Sequence, residues 1–151
     1  MFMKNIALVL LMMIGLSSFA QPGQRIAAKK CIRRTTVVMM HAHKLLKEHK
    51  VYTGNMAKSV RHQRYARFLF RQGKFLRAIH QSRRARQLAF LVIQANKGTV
   101  EKGWELSKEE NPAGAPTDAE LEKELPADTA NDTDEKLAAE DLKDIDVEEK
   151  E

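Results

Sequence analysis

The sequence predicts an all-α protein: a small antiparallel three-helix body followed by a mostly disordered acidic C-terminal tail. Three observations predict it. Between Gln24 and Asn96 there is no proline, and the only glycines are Gly54 and Gly73, which divide that stretch into three segments of helical length. Within the segments, apolar and small residues recur in steps of three and four, the spacing of one face of a helix. The charge then changes sign. Residues 21–108 hold 21 Lys and Arg against three acids, a net of +18, and residues 109–151 hold 17 acids against four Lys, a net of −13. The overall charge of +6 conceals this division into a basic body, 21–108, and an acidic tail, 109–151.

Residues 1–20 precede the body and read as a cleavable signal peptide. Lys4 is the only charge before the apolar run Ile6–Leu16, and small residues at Ser18 and Ala20 suit cleavage before Gln21. A spanning helix needs about 20 apolar residues, and this run is shorter, so cleavage is expected; retention as an anchor is the alternative. The mature chain is expected to be exported, to the periplasm or beyond as a secreted protein, with no transmembrane segment left. Cys31 is the only cysteine. It lies far from the cleavage position, which argues against a lipoprotein, and it precludes a disulfide within one chain. Its place on an apolar face suits a buried small hydrophobe, with an intermolecular disulfide as the alternative.

The first helix is expected from about Arg25 to Glu48, with a seam of Ala28, Cys31, Thr35, Val38, Ala42 and Leu45, widened by Ile32, Met39 and Leu46. Thr35-Thr36-Val37-Val38 favours a strand locally, but the periodicity on both sides favours helix. The second is expected from about Asn55 to Gln72, packing through Met56, Val60, Tyr65, Ala66, Leu69 and Phe70. The third is expected from about Phe75 to Ala95, with a seam of Phe75, Ala78, Ser82, Ala85, Ala89 and Val92, flanked by Leu88 and Leu91. Its small residues allow close approach of a neighbouring helix. Short connections make consecutive helices antiparallel neighbours. Trp104, the only tryptophan, is expected to pack back onto the helices.

Ala66, Gly73, Phe75, Ala78, Ile79 and Ala85 stand where a tetratricopeptide repeat places its small residue, turn glycine, aromatic and close-packing alanines. The stretch Ala66–Ala85 thus resembles a tetratricopeptide-like hairpin. The resemblance covers about one repeat: Phe90 replaces the closing proline, and no second copy follows at a 34-residue period. It implies a tight helical hairpin.

The tail opens with the linker-like Asn111-Pro112-Ala113-Gly114-Ala115-Pro116, and Pro126 interrupts it again. Its few apolar residues, Leu121, Leu125, Leu137, Leu142, Ile145 and Val147, are too sparse to offset the ordering of some 40 residues. Thr133 before Asp134 and Glu135 suits the start of a short helix, one that forms on docking.

The cations of the body have few acids among them. Arg61, Arg64, Arg67, Arg71 and Lys74 are spaced 3-3-4-3 and share a band on the second helix, and Arg77, His80, Arg83 and Arg84 share one on the third, with Arg86 further round. The first helix adds Lys29, Lys30, Arg33, Arg34, Lys44 and Lys47. From Arg61 to Arg86 there are eight Arg to one Lys, and Arg favours bidentate contacts with phosphate or carboxylate. The candidate anion-binding residues are therefore Arg61, Arg64, Arg67, Arg71, Lys74, Arg77, Arg83 and Arg84. Three readings are open. The face meets an anionic polymer, an anionic membrane surface or an acidic protein; it meets the chain's own tail, held at high effective concentration; or the charge only maintains solubility. Tyr65 and Phe68 are few aromatics for base stacking, so sequence-specific nucleic-acid reading is not expected.

The five histidines, His41, His43, His49, His62 and His80, all lie in the body. His41 and His43 are two apart and diverge on a helix, whereas His62 and His80 could meet across the hairpin, which makes a His-dependent metal-binding protein of the envelope the alternative. Surrounding arginines oppose a bound cation. Ser59 and Ser82 lie near these histidines in sequence but lack an orienting carboxylate, and the tail's paired carboxylates have no rigid scaffold. The expectation is a non-enzyme without cofactor, resident metal or catalytic residue.

Overall fold

The structure, a computed structural model, describes residues 22–148. The expected signal at 1–20 lies outside the described residues. Three long helices, α1 (Pro22–His49), α2 (Asn55–Arg71) and α3 (Phe75–Ala95), are followed by two short ones, α4 (Asp118–Glu124) and α5 (Asp134–Ala139). No strand occurs among the described residues.

The two glycines punctuate the helices as their chemistry requires. At the α2–α3 turn, Lys74 N–H donates to the Leu69 carbonyl (2.9 Å) and Gly73 N–H to that of Phe70 (3.0 Å). This is a Schellman closure, with Gly73 at φ +75° in the left-handed region that glycine enters most readily. The expected hairpin is present. α3 packs along both α1 and α2, and α5 lies against α1 and α2 while α4 lies on α3.

The seam residues of α3 are all buried, as are Ala28, Cys31, Thr35, Val38 and Ala42 of α1 and most of those expected in α2. Three details differ. Leu45 and Tyr65 are only partly buried, and Leu91 faces solvent while Ile93 enters the core in its place. The strand-prone run at Thr35–Val38 is helical: tertiary packing of Thr35 and Val38 outweighs local preference, and Thr36 bonds back to the Ile32 carbonyl (3.0 Å).

The core is layered. One apolar cluster holds Val38, Met39, Leu46, Met56, Val60, Ala89 and Ile93, and the other holds Ile32, Leu69, Phe70, Phe75 and Ile79. Between them lies a polar layer with one residue from each long helix. Ser82 Oγ is 2.9 Å from Thr35 Oγ1 and 2.8 Å from Gln63 Oε1, while Thr35 Oγ1 donates to the Ser82 carbonyl (3.2 Å). Buried polar groups must be paired to avoid a desolvation penalty, so this layer favours one register of the three helices.

The acidic segment, expected to be mostly disordered, has irregular backbone over most of its length, with α4 and α5 the exceptions. It is nevertheless seated on the body. Leu137 and Ile145 join the first apolar cluster and Val147 the second, and Leu121 is fully buried. Trp104 also packs back, its ring edge-on to His41 at 5.1 Å between centroids.

Candidate anion-binding face and the segment on it

The acidic segment runs across the arginines of α2 and α3, of which Arg83 is buried. Arg64 donates to Asp132 Oδ2 (2.6 Å) and Arg61 lies 3.7 Å from Asp128. Arg67 meets Asp144 (3.3 Å), Arg77 Nε donates to Glu124 (2.7 Å), and Arg84 meets Asp118 (3.2 Å). Arg83 donates to Asn111 Oδ1 (2.5 Å) and to the Pro116 carbonyl (3.0 Å). Among the described residues, six of the eight candidates thus face oxygens of the segment, and Arg71 and Lys74 are solvent-exposed around the α2–α3 turn.

Several of these contacts are partly shielded from water. Burial opposes ionisation of the Asp132 carboxyl, but hydrogen bonds from Arg64 and Lys136 and their positive charges outweigh it and hold the group below its usual range. Nearby, an opening of about 370 Å³ lies between α2 and residues 125–132, walled by Arg61, Arg64, Tyr65 and Phe68, the last two stacked at 6.1 Å.

Arg86, left outside the candidate set, has a different role. Its side chain is fully buried and its guanidinium grips Glu110 bidentately, Nη1 to Oε2 at 2.7 Å and Nη2 to Oε1 at 3.1 Å. Nε donates to Thr35 Oγ1 (3.1 Å), and the remaining N–H groups reach the carbonyls of Cys31 and Trp104. Arg34 adds a second guanidinium on Glu110 at 2.7 Å. This cluster anchors the start of the acidic segment. Beneath it Cys31 is buried; desolvation, reinforced by Glu110, pushes its thiol up to about 11, so it stays protonated and behaves as a small hydrophobe.

Other buried polar groups face the segment. His62 does not meet His80. Its Nδ1 is 2.6 Å from Gln81 Oε1 and its Nε2 3.1 Å from Glu122 Oε2, while Gln81 Nε2 donates to the Leu121 carbonyl (3.1 Å). His43 Nε2 lies 2.6 Å from the Leu137 carbonyl, and Gln63 Nε2 donates to that of Ile145 (2.8 Å). Burial, then the nearby Arg83, lowers the affinity of His80 for a proton. Ser59 and Ser82 are buried, and Ser59 Oγ donates to the Ala85 carbonyl (2.7 Å). Among the described residues no three His, Cys, Asp or Glu gather as metal ligands would.

The segment also completes a helix of the body. α2 begins after Gly54 with neither a side-chain cap nor an acid in its first turn. Asp134 supplies both from a distance, accepting from Gly54 N–H (2.7 Å) and Ala57 N–H (2.9 Å).

In comparison with known proteins, the chain matches no family model, no curated protein and no solved structure.

Proposed function

We propose that this is an exported, non-enzymatic, cofactor-free binding protein whose basic helical face engages an anionic polymer, an anionic surface or an acidic protein, and whose acidic segment occupies that face in the partner's absence. The sequence pattern at residues 1–20 supports export. One observation carries the rest: Arg61, Arg64, Arg67, Arg77, Arg83 and Arg84 all face oxygens of the segment, most of them carboxylates. A tethered carboxylate competes with an external anion at high effective concentration. The segment is then an internal ligand that an outside anion must displace, and binding weakens with salt.

The test keeps the full mature chain and compares two triple variants of equal charge. Asp118→Asn, Asp128→Asn and Asp144→Asn remove carboxylates that meet Arg84, Arg61 and Arg67. Glu109→Gln, Glu135→Gln and Glu140→Gln change exposed residues elsewhere in the segment. On immobilised heparin at low salt the first variant is expected to bind roughly tenfold more tightly than the wild-type chain, and the second to change far less. Equal shifts would reduce the effect to net charge, and no retention of any form would refute the reading.

A further inference from the structure

Among the described residues, one basic strip of the body stays exposed beside the acidic segment. Along α1, Ile26, Lys30, Arg33, Val37, Met40 and Lys44 fall within a band of about 80° at 100° per residue. All are exposed, and the apolar members strongly so: Ile26 is 67 % exposed, Val37 56 % and Met40 48 %. From Ile26 to Lys44 the strip holds three cations, three large apolar side chains and no acid. A shallow groove beside Ile26, Lys29, Lys30 and Arg33 marks its N-terminal half. On the flank toward Arg34 lie Glu105, Glu109 and Glu110, and Glu110 is already held by Arg34 and Arg86. On the far flank Lys47 lies 3.6 Å from Asp141.

We infer that this strip docks on an anionic membrane surface. Its composition is that of a helix lying in the interface plane, with cations directed to lipid phosphates and apolar side chains entering between headgroups. A second copy of the chain is a poor occupant, because two such strips face to face would oppose like charges. A purely electrostatic polymer would engage the cations but leave Ile26, Val37 and Met40 in water. The straight, single-signed strip, about 27 Å from Ile26 to Lys44 at 1.5 Å per residue, suits an extended flat surface. This surface is separate from the α2–α3 face, for which an anionic surface is one of the proposed partners, and it rests on its own residues.

Vesicle co-sedimentation tests it, using the chain from Gln21 to Glu151 so that the apolar leader does not contribute. The chain is expected to bind phosphatidylglycerol–phosphatidylcholine vesicles and not pure phosphatidylcholine. Lys30→Gln with Arg33→Gln is expected to weaken this binding roughly tenfold or more. Val37→Ser with Met40→Ser is expected to weaken it several-fold while leaving retention on heparin unchanged. All four residues are exposed, so unchanged helicity and melting would establish that each variant is folded. The inference is overturned if lipid charge makes no difference, or if either variant binds vesicles as the wild-type chain does. It is also overturned if the apolar variant loses heparin and vesicles together. In the background of the Asp118, Asp128 and Asp144 replacements above, both strip variants are expected to lose vesicle binding by the same factors, so failure of tail control and failure of membrane docking are read separately.

Discussion

Arg86 and Glu110 meet where burial would leave either charge poorly solvated without the other. Arg86 has no exposed side-chain surface and Glu110 only 8 %, and every N–H of the guanidinium has an acceptor. Glu110 accepts from Arg86, Arg34 and the Ser107 N–H. Removing one partner of such a pair strands the other charge, which typically costs about 3–5 kcal/mol. Glu110→Gln is therefore expected to lower unfolding stability by about 3 kcal/mol, because Arg86 keeps only neutral acceptors. Arg34→Gln removes a more exposed partner and is expected to cost about 1 kcal/mol or less. Urea unfolding of the two variants measures both. A loss for Glu110→Gln no larger than that for Arg34→Gln would contradict the anchoring role given to this pair.

Among the elements, α2 depends most on residues distant in sequence. Its first turn has no acid and no cap of its own, and Asp134 provides both, some 80 positions downstream. Loss of a capping side chain typically costs about 0.5–2 kcal/mol, so Asp134→Ala is expected to lower stability by about 1 kcal/mol. The same variant is expected to speed amide exchange at Gly54 and Ala57, measured by hydrogen–deuterium exchange; unchanged rates there would refute the cap. α5 has its own cap, with Thr133 Oγ1 accepting from Lys136 N–H (3.2 Å), as the sequence predicts. α4 begins with a capping box of Thr117 and Glu120. The Thr-x-x-Glu spacing of that box is a sequence-level signature of a helix start.

At the scale of the whole molecule, the three long helices were legible because each seam repeats every three to four residues and each break carries a glycine. The candidate arginines were legible for the same reason, since a regular spacing on a helix fixes a common face. The seating of the acidic segment was not. Few of its residues are apolar, and no local periodicity links Asp132 to Arg64 or Glu110 to Arg86, since those contacts span many positions. The available signal was polar: Gln63, Gln81 and His62 on packed helix faces each place part of their hydrogen bonding on the segment, and α2 needed a cap. Leu121, Leu137, Ile145 and Val147 then complete the body's apolar surface, so the segment's few apolar residues are almost all used.

This arrangement makes the acidic segment both part of the fold and the occupant of the candidate face, and the central claim is that an external polyanion displaces it. Hydrogen–deuterium exchange of the full mature chain, with and without heparin at low salt, tests this most directly. Displacement predicts faster exchange in α4 and α5 and at Gly54 and Ala57 once heparin is bound, while the centres of α1, α2 and α3 stay protected. Heparin binding with unchanged protection of α4 and α5, or no binding at all, would contradict it.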